Sequence, residues 1–194
     1  MEHPLKISVS RIVSGGQTGA DLAALDWAIA NGVPHGGWCP RGRKNEDGPL
    51  HAKYLLKETQ SPHYGERTRQ NVIDSDGTLV VNMGPLNGGT LKTVQLAKKL
   101  EKRHLVLQLD YGVRDEEAQQ LQDWLRRNSI ATLNVAGPRE SKRPGIYDRV
   151  LKLLELASST FYYPLSEEKI NTDIRPDLGT YTPPAPYLHL VRKR

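Results

Sequence analysis

The chain first turns from strand into helix at Ser14-Gly15-Gly16-Gln17-Thr18-Gly19-Ala20-Asp21. An apolar run, Arg11–Ser14, precedes this turn, and Leu22, Leu25 and Ile29 follow it on one helical face. Glycine permits positive φ and close approach of a ligand, and the free amides of a helix start attract anions. The turn therefore predicts a phosphate site made by Gly15, Gly16, Gln17, Thr18, Gly19 and Asp21. Alternatively, Thr18 and Asp21 form a capping box, and the glycines only make the turn.

The same alternation of short apolar runs and helical spacing continues to about residue 158. It predicts an α/β fold: a Rossmann-like, doubly wound, mostly parallel sheet of about five strands flanked by helices. The predicted strands are Arg11–Ser14, Gly36–Cys39, Thr78–Asn82, His104–Gln108 and Ile130–Asn134. Helices are predicted around Leu22–Ile29, Leu91–Leu100, Asp115–Leu125 and Ile146–Leu154. We expect residues 1–158 to form this domain and the Pro- and Tyr-rich residues 159–194 to form an extended arm.

Two further loops follow predicted strands and open helices. The second loop is Met83-Gly84-Pro85-Leu86-Asn87-Gly88-Gly89-Thr90, and the third, residues 136–145, offers the Ser141 hydroxyl and three cations. The carboxyl ends of parallel strands meet at one edge of a sheet, where ligands of such folds bind. We therefore expect Gly88, Gly89, Thr90 and Ser141 to converge with the first loop on one crevice.

Charged and polar residues in two other segments are candidates for the same crevice. Arg41 and Arg43 follow the second predicted strand, and each could donate two hydrogen bonds to an anion. Arg67 and Asn71 are four residues apart on one face of a predicted helix, and Asp76 stands just before the third strand. The alternatives are a solvated loop for the two arginines and an ordinary surface helix for Arg67 and Asn71.

Composition excludes several classes of protein. The 194 residues have a formal net charge of +5, which suits an anionic ligand, but lack the stripe of basic and aromatic residues typical of nucleic-acid binding. A single cysteine, Cys39, excludes internal disulfides and thiolate metal clusters, and the other candidate metal ligands are not suitably spaced. We expect no membrane segment and a cytoplasmic location, since there is neither a long apolar run nor a leader.

Six ordered motifs together resemble a known family. They are the first loop, Pro40-Arg41-Gly42-Arg43 with Glu46-Asp47-Gly48, Arg67-Thr68 with Asn71, Ser75-Asp76-Gly77-Thr78, Gly88-Gly89-Thr90, and Asn134-Val135-Ala136-Gly137-Pro138-Arg139-Glu140-Ser141. Their combination over residues 9–158 resembles the molybdenum cofactor carrier proteins. That family is similar to the SLOG and lysine-decarboxylase-like superfamily of Rossmann-like proteins, of which it is a circularly permuted branch.

The resemblance implies a homo-oligomer that binds molybdenum cofactor (Mo-molybdopterin), a phosphate-bearing pterin that brings its own metal, with molybdoenzymes as recipients. A nucleotide is the second candidate ligand. The related enzymes cleave the N-glycosidic bond of nucleotides with a Pro-Gly-Gly-x-Gly-Thr-x-x-Glu loop, but this chain has Thr93 at the position of the glutamate. We therefore expect a carrier or storage protein, with a nucleotide-processing hydrolase that uses Asp21, Glu46 or Asp76 as the alternative.

Overall fold

The structure is a computed structural model, and it describes residues 9–158. Within this range the chain alternates between strands and helices. The predicted extended arm, residues 159–194, lies outside the described residues. None of the helices formed by residues 9–158 is both long enough and apolar enough to span a bilayer.

A five-stranded parallel sheet forms the centre of the described chain, as the sequence predicts. Its strands are β1 (Arg11–Val13), β2 (His35–Gly36), β7 (Gly77–Asn82), β8 (Arg103–Gln108) and β9 (Thr132–Ala136). They lie in the order β2-β1-β9-β7-β8, so the last strand along the chain occupies the middle of the sheet. All six residues of β7 are buried, which is typical of a parallel strand covered on both faces.

Five helices cover the sheet: α1 (Ala20–Ala30), α2 (Tyr64–Ile73), α3 (Gly88–Lys99), α4 (Asp115–Arg127) and α5 (Ile146–Ala157). Helix α5 packs against both α1 and α4, whereas α2 packs against α3. Leu79 and Val81 of β7 pack in the core on the side of α1, α4 and α5. Val80, between them, points to the opposite face of the sheet. The chain is thus a Rossmann-like α/β arrangement with helices on both sides of the sheet.

The apolar stripe predicted for α1 is wrong in one position. Ile29 is exposed, while the helix buries Ala23, Ala24 and Trp27 together with Leu25. Four buried alanines, Ala20, Ala23, Ala24 and Ala28, let α1 lie close to the sheet and to α5, so Ile29 need not face the core. In the later helices, predicted core residues such as Val94, Leu121 and Leu153 are buried, whereas Leu91, Leu100 and Trp124 are only half-buried.

The second predicted strand, Gly36–Cys39, is wrong as a single element. Gly37 has φ near +119° and divides it into β2 and β3 (Trp38–Cys39). Only β2 belongs to the central sheet, because β3 leaves it to pair with β6 (Lys57–Glu58). Between them β4 (Lys44–Asn45) and β5 (Gly48–Pro49) form a small antiparallel hairpin. Residues 37–63 thus make a separate covering segment with its own small core, which includes Cys39, Leu50 and Leu56.

The strand order brings three loops together. Strands β1, β9 and β7 are neighbours, and each is followed at its carboxyl end by a turn that leads into a helix. The turn after β1 is residues 14–19, the turn after β7 is residues 83–87, and the turn after β9 is residues 137–145. The predicted convergence of the three loops on one sheet edge is therefore confirmed. Strand β9 begins two residues later than predicted, at Thr132 rather than Ile130.

Candidate functional site

A crevice of about 370 Å³ opens at this carboxyl edge. Its size falls at the lower end of the range usual for small-molecule sites, roughly 300–1,000 Å³. All three loops contribute to it, and α2 and α3 form its side walls. The lining residues are Gln17, Asp21, Tyr64, Gly65, Arg67, Thr68, Asn82, Asn87, Gly88, Gly89, Thr90, Lys92, Thr93, Leu96, Ala136, Gly137, Pro138, Arg139, Lys142 and Arg143.

The second glycine loop is open to this crevice. Gly88 and Gly89 are exposed, and a Cβ built on Gly89 would meet no atom within 4 Å. They begin α3, whose first-turn amides have no acceptor within the helix. Among residues 9–158, no acceptor is bonded to the amides of Gly88, Gly89 or Thr90. This helix start therefore presents free N–H donors and the positive end of its dipole to the crevice.

Cationic side chains surround the start of α3. Lys142 places its Nζ 3.5 Å from the Cβ position of Gly88. Arg143 is held in place because its Nε donates to the Met83 carbonyl oxygen (2.6 Å) and its Nη1 to the Lys142 carbonyl oxygen (3.0 Å). Lys92, in the first turn and a half of α3, lines the same wall. The α3 end of the crevice thus suits a phosphate group.

The first glycine loop is instead filled by the rest of the chain. A Cβ on Gly15 would overlap the Arg67 guanidinium, and one on Gly16 would stand 2.7 Å from a Leu56 methyl. Gly19 has φ near +73°, and its Cβ position lies 2.6 Å from both the Pro138 carbonyl oxygen and the Glu140 nitrogen. These three glycines allow close packing, and none of them lines the crevice. The structure therefore places these three glycines outside the crevice.

The alternative of a capping box in this loop is also wrong. Helix α1 begins after Gly19 and has no side-chain cap. The Thr18 hydroxyl donates to a Glu46 carboxylate oxygen in the β4–β5 hairpin. Asp21 accepts from the Gln17 amide (3.2 Å) and from Nη1 of Arg67 (2.9 Å). Polar side chains of the first loop thus join it to other segments rather than close its own helix.

The ion pair between Asp21 and Arg67 forms the floor of the crevice. The side chains are only 3% and 13% exposed, respectively, and both residues line the crevice. Burial raises the pKa of the Asp21 carboxyl above its ordinary value, although the charge of Arg67 and the Gln17 amide act to lower it. A buried pair of this kind is costly to break, since either partner alone would be an uncompensated charge.

Two buried donors beside this pair have no partner among residues 9–158. They are Nε2 of Gln17 and Nε of Arg67. The orientation of the Gln17 amide is fixed, because its Oε1 accepts from the amides of Thr18 (3.1 Å) and Glu46 (2.9 Å). An unsatisfied buried donor costs about 1–3 kcal/mol, so such groups usually serve a water molecule or a ligand.

Glu46 joins the three segments around the crevice mouth. Its carboxylate accepts from the hydroxyls of Thr18 and Ser141 (2.5 Å to Ser141) and lies 3.9 Å from Nη1 of Arg139. Burial raises the pKa of Glu46, but the hydrogen bonds from Ser141 and Thr18 and the charge of Arg139 outweigh it, so the pKa lies below its ordinary value. Ser141 is therefore engaged with Glu46 and does not line the crevice.

Several other predicted site residues have structural roles. Arg43 donates to the backbone oxygens of Leu56 (2.9 Å) and Tyr54 (2.8 Å), which holds the covering segment together. Asn71 is buried and bonds to both the amide and the carbonyl of Trp38. Arg41 is exposed outside the crevice. The structure therefore places these three residues outside the crevice.

Asp76 is at the opposite edge of the sheet. It precedes β7, so it lies at the amino end of that strand, where its Oδ2 accepts from the amides of Ala131 (3.0 Å) and Thr132 (2.7 Å). There it joins β7 to the start of β9. Its predicted role in the crevice is wrong, because a residue before a parallel strand cannot reach the edge where ligands bind.

The structure brings six of the predicted residues together in the crevice: Gln17, Asp21, Arg67, Gly88, Gly89 and Thr90. The residues predicted for the site do not include Tyr64, Arg139, Lys142 and Arg143, which also line the crevice. Three of these four are the cations of the third loop, so their charge and their position after a central strand were a usable signal. Tyr64 carried no such signal, because it begins a helix that follows an irregular segment.

No group of three or more His, Cys, Asp or Glu side chains that could hold a metal ion is present within residues 9–158. The donors around the crevice are amides, guanidinium groups and ammonium groups, which bind anions. Such a set fits a ligand whose phosphate is bound by the protein. It does not fit a metal ion coordinated directly by side chains.

Fold and crevice together define a Rossmann-like α/β protein with a crevice at the carboxyl edge of its sheet that is lined by amide and cationic donors. Residues 12–157 match the model of the circularly permutated YpsA SLOG family, and the chain belongs to this family. A crystal structure described as "Putative molybdenum carrier protein" from Syntrophus aciditrophicus SB shares 43% sequence identity and superposes with a TM-score of 0.76. That match covers 77% of this chain and 95% of the other. No curated protein matches the chain.

Proposed function

We propose that this protein binds molybdenum cofactor, as a carrier or storage protein, and holds the cofactor's phosphate at the start of α3. The observation that carries the proposal is the group of free amides at Gly88, Gly89 and Thr90 beside Lys142 and Arg143. The similar protein described as a molybdenum carrier supports the choice of ligand. When bound, the cofactor supplies its own dithiolene-held metal, and this chain's residues bind and orient it.

The proposal extends to the setting of the protein. We propose a cytoplasmic homo-oligomer that hands its ligand to molybdoenzymes. This function differs from the binding of free molybdate, because it requires the phosphate of the cofactor. Molybdate has neither a pterin nor a phosphate to place in the crevice.

Binding can be tested anaerobically, with molybdenum cofactor released from a molybdoenzyme and complexes counted by native mass spectrometry. We expect one cofactor per chain in the wild type. Lys142→Ala should weaken binding about tenfold, since it removes a charge-assisted contact. Lys99→Ala is the matched control, because Lys99 is exposed at the far end of α3. Equal affinities of the two variants would contradict the assignment of the phosphate to the start of α3.

The alternative function is hydrolysis of a nucleotide's N-glycosidic bond. Thr93, at the position where the related enzymes have a glutamate, donates its hydroxyl to the Gly89 carbonyl oxygen (3.0 Å). Among the lining residues within 9–158, the single carboxylate is Asp21, which is paired with Arg67. A general acid or base must be free to exchange a proton with the substrate, so this arrangement favours binding. Release of free base from nucleoside monophosphates would instead establish the hydrolase.

A further inference from the structure

The part of the crevice lining at the start of α2 has a different chemistry from the start of α3. There Tyr64, at the start of α2, is 38% exposed at the crevice wall. The guanidinium carbons of Arg139 and Arg67 lie 5.2 Å and 5.8 Å from the centre of its ring. A Cβ on the next residue, Gly65, would meet no atom within 4 Å, so the space beside the ring is open.

An aromatic ring and guanidinium planes are the surfaces on which proteins stack planar heterocycles. Arg139 is suited to this because its charge is only loosely engaged: its ion pair with Glu46 spans 3.9 Å, and its side chain is 36% exposed. A simple phosphate or sugar phosphate would leave this surface unused. The two ends of the crevice thus favour a ligand with a phosphate at one end and a flat ring at the other.

The unpartnered donors determine which edge of a bound heterocycle faces the protein. Nε2 of Gln17 and Nε of Arg67 are buried behind the same wall, and both are obligate donors as oriented here. They match two neighbouring hydrogen-bond acceptors, such as the keto oxygen and the unprotonated ring nitrogen beside it on the same edge, which in guanine are O6 and N7. An amino group directed at them would leave donors facing donors.

We propose that Tyr64 and Arg139 stack a planar heterocycle, and that Gln17 and Arg67 select its keto edge. The ligand class is thereby a phosphate-bearing keto heterocycle, of which guanine and pterin derivatives are examples. This inference deepens the proposed function and rests on the phosphate end of the crevice for its anchor. It goes beyond that function by naming the residues that distinguish a keto ring from an amino ring.

The test uses three probes that share a phosphate: guanosine 5′-monophosphate, adenosine 5′-monophosphate and ribose 5-phosphate. Their affinities for the full-length protein are measured by isothermal titration calorimetry. We expect the guanine nucleotide to bind at least about tenfold more tightly than the adenine nucleotide, and ribose 5-phosphate to bind most weakly. Hydrogen bonds to the keto edge account for the preference for guanine over adenine, and a base-stacking contact of ordinary strength accounts for the weaker binding of ribose 5-phosphate.

Variants of two residues separate stacking from edge selection. Tyr64→Leu should weaken both nucleotides about tenfold and ribose 5-phosphate less than twofold, whereas Tyr64→Phe keeps the ring and should bind as the wild type does. Gln17→Glu keeps the accepting oxygen and removes the donor, so it should abolish the preference for guanine over adenine. Tyr111→Leu, at a fully exposed tyrosine outside the crevice lining, is the control.

The outcomes distinguish the inference from the function on which it rests. Equal affinity for all three probes, unchanged in Tyr64→Leu, would overturn the heterocycle site and leave the phosphate site standing. A preference for adenine would overturn the edge selection by Gln17 and Arg67. Failure of the wild type to bind any of the three probes would overturn both proposals. Circular dichroism of each variant checks that lost binding does not reflect a lost fold.

Discussion

The two glycine-rich loops at the carboxyl edge of the sheet look alike in sequence and differ in what surrounds them. In the loop after β1, the space beside Gly15, Gly16 and Gly19 is taken by side chains and backbone of other segments. In the loop after β7, Gly88 and Gly89 are exposed and head a helix with free amides. Glycines can thus serve close packing of the protein on itself or access for a ligand, and composition alone does not distinguish the two.

The largest effect is expected from Gly19→Val in the packed loop. Gly19 has positive φ, and two backbone atoms lie 2.6 Å from its Cβ position. Strain and overpacking together should lower the free energy of unfolding by about 4 kcal/mol. Urea denaturation of the wild type and the variant measures this loss. A variant as stable as the wild type would contradict the view that this loop is fixed by close packing.

Arg67→Met should have the next largest effect. It leaves the Asp21 carboxylate buried without its ion-pair partner, which should lower the free energy of unfolding by about 3 kcal/mol. The double variant Asp21→Asn with Arg67→Met removes the stranded charge and should recover part of that loss. Denaturant unfolding of the two single variants, Arg67→Met and Asp21→Asn, and of the double variant provides the measurement. If the double variant lost the sum of both single effects, the pair would not be coupled.

Gly89→Val in the open loop should affect binding rather than stability. The new side chain enters open space at the crevice, so unfolding should change by less than about 1 kcal/mol, because valine is at least as good a helix former as glycine. The affinity for ribose 5-phosphate should fall about thirtyfold, through steric exclusion from the α3 amides, as calorimetry can measure. By contrast, Gly16→Val should disturb the fold, because Leu50 and Leu56 fill the Cβ position of Gly16. From the sequence alone the two glycines look equivalent, since both lie in strand-to-helix turns. Retained binding in Gly89→Val would remove the distinction between the loops.

The smallest effect on stability is expected at Glu46, whose carboxylate joins three segments around the crevice mouth. The pKa of this carboxyl is below its ordinary value of 4.5 in the folded protein, so it adds stability above that value and loses this contribution as pH falls through the folded pKa. Glu46→Gln should therefore lower the melting temperature by a few degrees at pH 6 and by less at pH 3. Thermal unfolding at both pH values tests this. A difference that grew toward pH 3 would have the wrong sign for a lowered pKa.

The fold was predictable from the sequence because its signals are repeated and local. Apolar spacing in α3, α4 and α5 and the run that becomes β7 each indicate one element, and their alternation indicates a parallel sheet. The two-residue strands β3 to β6 were not predictable, since each is too short to carry a period, and β3 and β6 also form by pairing across about twenty residues. The order of strands in the sheet was likewise beyond local spacing.

The candidate site was predictable only in part. Gly88, Gly89 and Thr90 are placed by a strand end and a helix start, both of which have sequence signals. Arg43 is a strong anion binder by residue type, yet the structure uses its donors on the carbonyls of Tyr54 and Leu56, a choice set by tertiary packing. Asp76 shows that a polar residue next to a strand must be assigned to the correct end of that strand before it is assigned to a site.

The central position of β9 has a consequence for how the chain acquires its structure. Ile12 of β1 pairs with Leu133, a contact between residues more than a hundred positions apart. Before β9 is available, β1 with β2 and β7 with β8 are two separate pairs, each with an unpaired inner edge. Closing such distant contacts slows folding, and exposed strand edges favour association with other chains. During synthesis the sheet therefore cannot be completed until residue 136 has left the ribosome, so the interval before that point is when the nascent chain is most prone to aggregate.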